Sequence, residues 1–268
     1  MLLDVFVESI GLLGPGLAGW PQGRQCLAGS VAYQRARCVL PPPMALPSAE
    51  RRRAGAVIKL SLAVSQEAVE ASGLQAKDLP SVFSSSSGDA VNCHEICSAL
   101  ASGDRLISPT RFHNSVHNAS SGYWSIASGA MATSSVLCAF DAGFAVGLLE
   151  AMTQCVVDDR AVLLVAYDTE YPEPLHSKRP IPDAMGVALV IAPRRSVRSL
   201  ARIGLDGTRY LTAAAADTLH DAALETLRQS IPAARALPLL QAIAKRQSRR
   251  VVLDYLGPMQ LAVDIAPC

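Results

Sequence analysis

Aromatic residues are scarce in this sequence: Phe, Tyr and Trp together make up 5%, and charged residues only 18%. Half of the 268 residues are apolar. A core must therefore be built mainly from Ala, Val, Leu and Ile, and small residues in quantity suit elements that approach one another closely. This balance excludes disorder over most of the length, and the length suffices to bury a substantial core. Net charge is nearly absent as well. A formal +1 supplies no bulk field for nucleic acid. The one local basic cluster, Arg51-Arg52-Arg53, reads as the solvated start of a helix or as a docking point for an acidic partner.

Other absences narrow the classes further. No uncharged apolar run is long enough to cross a bilayer, so no membrane span is expected. Met1 to Ile10 is apolar but carries Asp4 and Glu8 and has no basic lead, unlike a signal peptide. Seven cysteines at irregular spacing, an odd count, do not form a secreted disulfide framework. A reducing cytoplasm is the expected location. No Gly-rich phosphate loop or dinucleotide fingerprint occurs. Cys93-His94-Cys97 has no second ligand pair at zinc-site spacing, which favours helix-packing cysteines. No cofactor and no metal are expected.

What is there alternates in period. Val5 to Ile10 reads as a strand, followed by a Gly/Pro-rich loop from Gly11 to Gly23. Pro41-Pro42-Pro43 and Pro47 mark a second loop. Val57, Leu60, Val64, Ala68 and Ala71 recur at three- and four-residue steps, predicting a helix over 57–72 that stops at Gly73. Val82 to Ser87 predicts a small-residue strand, Asp89 to Ala101 a helix, and Asn114 to Ser128 a helix rich in small polar residues. Ser135 to Ala139 is a short strand. Phe144 to Val156 is a strongly apolar helix with Asp141 as candidate cap. Ala161 to Tyr167 and Gly186 to Ala192 are apolar strands of the kind buried on both faces. Beyond Pro193-Arg194-Arg195, helices are predicted over 213–229 and 237–247. A hairpin is predicted from 251–255 and 259–265 around Gly257-Pro258. The order gives an α/β fold, a buried mixed sheet covered by helices.

Several of these segments, in order, resemble one family. VIKLSLAVSQEAVEASGL (57–74) is similar to the first long helix of β-ketoacyl synthases, and LPSVFSSSSGD (79–89) to the strand that follows. Ser108-Pro109 and the stretch from Asn114 to Gly129 resemble the approach to that family's dimer-interface helix. SSVLCAFDAGFAVGLLEAM (134–152) resembles the nucleophile strand, turn and buried helix. AVLLVAYDTE (161–170) and AMGVALVIA (184–192) resemble two later strands. The likeness covers about residues 1–193, the amino-terminal half of the family, and leaves 194–268 as carboxy-terminal helices and a hairpin packed on the same core. It implies a truncated thiolase-like fold, a dimer, and work on acyl chains carried as thioesters. FHNSVHNASSGYWSIASG (112–129) resembles a subgroup of short ketosynthase-like proteins of aryl-polyene and xanthomonadin-type pigment synthesis, regarded as chain-length-factor-like partners of a full ketosynthase.

A condensing enzyme needs a cysteine thiolate at a helix amino terminus, two amides for the thioester oxyanion, and a pair of histidines, or a histidine and an asparagine, to handle the malonyl unit. Cys138 stands near the family's nucleophile position, either as a nucleophile or as a buried apolar cysteine. Phe140 is bulky where the family keeps room for the thioester, and Asp141 places a carboxylate where it opposes a thiolate. The family's catalytic histidines lie in its second half, and after Arg195 only His220 remains. His113 and His117 are four apart and would share a helix face. They suit a partner contact, an acyl-tunnel lining or, less simply, catalysis. Glu170 falls where the resemblance implies a structural acid.

The resemblance therefore implies a non-catalytic, chain-length-factor-like subunit that shapes the acyl tunnel of a full-length ketosynthase in fatty-acid or polyketide elongation. Phe112, His113, His117, Asn118, Phe140 and Asp141 would line that tunnel or the heterodimer interface. An acyl carrier protein is a further partner to expect, with Arg51 to Arg53 as one docking point. The alternative is a stand-alone acyltransferase or thioesterase using Cys138 with His113 or His117. A homodimeric scaffold with no acyl role is a third reading.

Overall fold

The computed structural model describes residues 3–207 and 209–268. In chain order the elements are β1 (Leu3–Gly14), β2 (Leu17–Ala18), α1 (Trp20–Ala28), α2 (Ser48–Arg53), α3 (Ala56–Ser72), β3 (Ser81–Ser85), α4 (Ala90–Ala101), α5 (Pro109–His113), α6 (Ala119–Ser128), β4 (Ser134–Cys138), α7 (Gly143–Val157), β5 (Val162–Asp168), α8 (Leu175–Lys178), β6 (Met185–Ala192), β7 (Ala201–Leu205), β8 (Leu211–Thr212), α9 (Ala222–Ser230), α10 (Leu237–Ala244), β9 (Arg249–Leu253) and β10 (Gln260–Pro267). The strands form one sheet ordered β4-β3-β5-β6-β1-β7-β10-β8, with β2 beside β1 and β9 beside β10. β3 runs parallel to β4 and β5. From β5 through β6, β1, β7 and β10 the pairing is antiparallel.

Alternation along the central strands sorts the core into two layers. Val162, Leu164 and Ala166 of β5 join α1, α7 and α10 on one face. Leu163, Val165 and Tyr167 join α3 and α6 on the other. Both faces are covered, which is why β5 and β6 are near-continuous apolar runs. α3 rides directly on β1: a Cβ on Gly11 would come within 2.0 Å of the Val64 carbonyl oxygen.

That contact corrects the loop expected from Gly11 to Gly23. Gly11 serves a close approach, so β1 runs on to Gly14, and α1 follows within the same stretch. The expected helix over 114–128 is broken between α5 and α6. Asn114 holds the break: its Nδ2 donates to the Arg53 carbonyl at 2.9 Å and its Oδ1 accepts from the Tyr123 hydroxyl at 3.1 Å. The helix expected over 213–229 begins only at Ala222, because Asp221 caps it by accepting from the Ala223 and Leu224 amides. The preceding alanines are non-helical, and the Asp217 amide donates to Val252 at 2.8 Å. Arg51, Arg52 and Arg53 end α2 instead of starting a helix, which suits cations at a helix carboxy terminus.

The 249–267 hairpin forms as predicted, and β7, β9 and β10 continue the sheet past β1. One stretch, Phe140–Val157, has the length and mean hydropathy (1.3) of a short membrane span. It contains α7, which packs against β5 and β3, with Phe144, Leu148, Ala151 and Met152 fully buried.

Candidate functional site

The carboxy ends of β3, β4 and β5 meet the amino end of α7, and small residues make the meeting close. Ser84 donates its hydroxyl to the Gly143 carbonyl at 2.7 Å. A Cβ on Gly147 would lie 2.9 Å from Leu164 Cδ1 and 3.0 Å from Ser84 Cβ. α7 is thereby pinned over the sheet, and the turn between β4 and α7, residues 138–142, is displayed at its edge.

Cys138 ends β4 and is exposed, which corrects the reading of a buried cysteine. Its Sγ lies 2.8 Å from the Ser86 carbonyl oxygen, a bond that needs the thiol proton. Phe140 follows in a short 3-10 turn, Phe140–Ala142, with φ +53. A non-glycine residue in the left-handed region is uncommon and points to a local constraint. The constraint is visible. The Arg179 guanidinium lies over the Phe140 ring, 3.4 Å from its centroid, and also binds Asp141 at 2.6 Å. Arg235 reaches the other Asp141 oxygen at 3.2 Å and Asp254 at 2.8 Å. Asp254 in turn pairs with Arg228, which is held by Glu225 at 2.7 Å. Asp141 therefore makes no side-chain cap on the helix. It anchors a chain of ion pairs that ties this turn to the 225–254 region.

Beneath the turn lies Asp168, at the end of β5 and fully buried. It accepts from the Ser86 and Ala233 amides, both at 2.8 Å. Burial pushes its carboxyl up to about 7, against the pull of those amides and of Arg179. The Tyr171 hydroxyl bonds both Ser86 (3.1 Å) and Ser87. Asp168 thus fills the structural-acid role that the sequence suggested for Glu170. Glu170 lies on the surface, paired with Arg37 at 2.7 Å. Arg179, Arg235, Asp168 and Tyr171 were not singled out by sequence. The only trace of Asp168 and Tyr171 was the polar stretch closing the apolar β5 run, and the two arginines left none.

The two histidines do not share a helix face. α5 ends at His113, whose ring meets Tyr123 edge-on at 6.4 Å. His117 lies in the break, its Nε2 3.2 Å from the Leu137 carbonyl oxygen and its ring over Gly88. Only His117 therefore approaches the Cys138 end of β4. Phe112 is exposed on α5. Asn118 precedes α6 with its carbonyl bonded to Gly122 and Ser121 and no side-chain cap. Cys93 and Cys97 are exposed on α4 and pack no helix. Among the described residues no cluster of three metal-ligating side chains occurs.

Three features mark this turn. The thiol bonds a carbonyl, the start of α7 carries a carboxylate held by two arginines, and a bulky ring stands at the left-handed position. The Ala142 amide, one candidate oxyanion donor, bonds Ala139 at 2.9 Å. His220 is exposed in the segment before α9.

Three comparisons place this architecture. Among solved structures the chain is similar to a ketosynthase (ApeO) in complex with its chain length factor (ApeC) from Xenorhabdus doucetiae, at 20% identity and TM-score 0.72, covering 97% of this chain and 99% of that one. It is similar to AntDE:AntF, a type II polyketide synthase acyl-carrier protein in complex with its ketosynthase, at 12% identity and TM-score 0.75, covering all of both chains. The ishigamide ketosynthase/chain length factor aligns at 10% identity and TM-score 0.71, over 98% of this chain and 99% of that one. No curated protein matches. These likenesses show the thiolase-like fold of ketosynthases. Residues 29–253 match the family of the β-ketoacyl synthase N-terminal domain, most of the chain, so the chain belongs to that family.

Proposed function

We propose that this chain is a non-catalytic, chain-length-factor-like partner of a full-length β-ketoacyl-acyl carrier protein synthase, acting in polyketide-type elongation of the kind that makes aryl polyenes. One observation carries the reading: Phe140, clamped by Arg179 over a carboxylate-filled helix start, occupies the turn that a condensing enzyme must keep open for a thioester. The ring is 59% exposed, so it is presented outward, where a partner's acyl chain would meet it.

The edge of the sheet supports a heterodimer. Among the described residues β4 pairs only with β3, and its neighbours in sequence expose apolar side chains: Phe112, Val116 and Met131 before it, Phe140 after it. An open strand edge flanked by apolar surface is a docking template. Three of the similar solved structures pair a ketosynthase with a chain length factor or an acyl-carrier protein, and an acyl carrier protein is the second partner we assign.

Co-expression with a full-length ketosynthase tests the heterodimer. A one-to-one complex is expected, lost when Val136→Pro disrupts the β4 edge. A stable monomer that ignores every such ketosynthase contradicts the reading.

A further inference from the structure

The end of the sheet remote from the 138–142 turn carries a charge pattern that the proposed function does not use. β5 begins there at Val162, β6 ends at Ala192, β7 begins at Ala201, and β10 ends beside it at Pro267. The seven residues of β5 set this end about 20 Å from the turn. Several irregular segments meet on it. The Arg194 guanidinium pairs with Asp159, just past α7. The Cys268 amide donates to the Leu200 carbonyl at 3.3 Å, and Arg246 donates to the Cys268 carbonyl at 2.8 Å. A Cβ on Gly73, at the end of α3, would lie 3.0 Å from the guanidinium carbon of Arg198. Residues 157–160, 194–200 and 245–246 therefore share one surface.

That surface is basic, with apolar tips. Arg194, Arg195, Arg198, Lys245 and Arg246 are all exposed. Of the exposed acids here, Asp159 is taken by Arg194, and Asp78 and Asp158 are matched in number by Lys77 and Arg160. Arg195, Arg198 and Lys245 make no ion pair among the described residues. The 196–199 turn is built to display its tip. Ser196 and Ser199 donate their hydroxyls to the two oxygens of the buried Glu8 carboxylate, and the Ser196 amide donates to the Ser199 hydroxyl oxygen at 2.8 Å. With both serines tied to Glu8, Val197 between them is left outward and fully exposed. Val157, at the end of α7, is exposed on the same surface.

We propose that this end of the sheet is a peripheral docking surface for an anionic lipid bilayer, with Val197 and Val157 entering the headgroup layer and Arg195, Arg198 and Lys245 against lipid phosphates. Unpaired cations supply the attraction, and apolar side chains beside them supply the insertion. The valines stand out singly instead of forming a continuous apolar patch, which suits a soft surface better than a shaped protein partner. A ketosynthase on the β4 edge, two strands beyond β5, leaves this surface free, so the proposal does not rest on that reading.

The test sediments the purified full chain with vesicles of phosphatidylcholine alone and of phosphatidylcholine and phosphatidylglycerol in equal parts. Binding is expected only with the anionic vesicles, and should be lost at about 0.5 M salt, where charges are screened within about 4 Å. Arg195→Gln and Arg198→Gln should each weaken it about fivefold, the effect of one basic residue at such a surface. Val197→Ser should weaken it about three- to tenfold. Val197→Trp should tighten it and give a tryptophan emission that moves to the blue on binding, against a constant background from the buried Trp20 and Trp124. Lys178→Gln removes the same charge from α8, next to the Arg179 that holds the turn at the other end, and should change nothing. The proposal is overturned if neither vesicle binds or both bind equally. It is equally overturned if the double variant Arg195→Gln, Arg198→Gln binds as the unaltered chain does, or if Lys178→Gln weakens binding as much. Capture of an acyl carrier protein through Arg195 and Arg198, without vesicle binding, would also overturn it and assign the surface to an acidic protein.

Discussion

Arg179→Met removes the guanidinium that clamps the turn before α7 and keeps most of the aliphatic stem. Two close contacts are lost, together with a longer approach to the Tyr171 ring, 5.8 Å from its centroid. The stacking on Phe140 is worth about 0.5–1 kcal/mol, because the ring is largely exposed. The ion pair with Asp141 joins side chains that are 19% and 40% exposed, and such a pair contributes about 0.5–1 kcal/mol. Asp141 is not orphaned, since Arg235 remains at 3.2 Å. The sum is about 1–2 kcal/mol, and at about 2–4 °C per kcal/mol for a chain of this size the midpoint should fall by about 2–8 °C. Denaturant unfolding of Arg179→Met, Phe140→Ala and the double variant isolates the stack, with an expected coupling of about 0.5–1 kcal/mol. A coupling of zero, or an Arg179→Met chain as stable as the original, would refute the clamp and remove the reason why Phe140 stands where it does.

Asp168 gives a pH prediction. Its folded carboxyl titrates at about 7 against about 3.9 unfolded. The folded chain therefore keeps a proton that the unfolded chain has released, and stability falls as pH rises from about 4 to about 7. Asp168→Asn should flatten the loss of about 2–3 kcal/mol between pH 5 and pH 8, and an unchanged slope assigns it elsewhere. Gly11→Ala would drive a methyl into the Val64 carbonyl and should cost more than about 3 kcal/mol; an unchanged midpoint contradicts the α3–β1 approach. Cys138, exposed and bonded to a carbonyl, should react with a thiol reagent at the rate of an ordinary free thiol. A strongly accelerated reaction would favour the acyltransferase alternative.

What the sequence made legible follows from period. The apolar runs of β5 and β6 and the three-four repeat of α3 are long enough to name their elements. The segment 134–152 marked the strand-turn-helix unit correctly. Readings failed where a side chain or a neighbour overrode local pattern. Gly11 looks like a loop residue and is a packing residue, because the helix it touches is more than fifty positions away in sequence. Asn114 breaks a helix through bonds to Tyr123 and to Arg53, and Arg53, 61 positions away, lies outside any local window. β7 is only five residues long and follows a polar stretch, so it carries no signal of its own. In the site, Phe140 and Asp141 stood out as departures from the family's turn. Arg179 and Arg235 did not, since a lone arginine has no period and gains meaning only when the fold brings it to a carboxylate.

The central claim is that chemistry belongs to the partner and not to this chain. Incubating the co-purified complex with an acyl-loaded acyl carrier protein and measuring the intact mass of each subunit tests it most directly. The account predicts that the acyl mass appears on the ketosynthase alone, and that Cys138→Ala leaves both its extent and the elongation product unchanged. An acyl adduct on this chain that disappears in Cys138→Ala would contradict it.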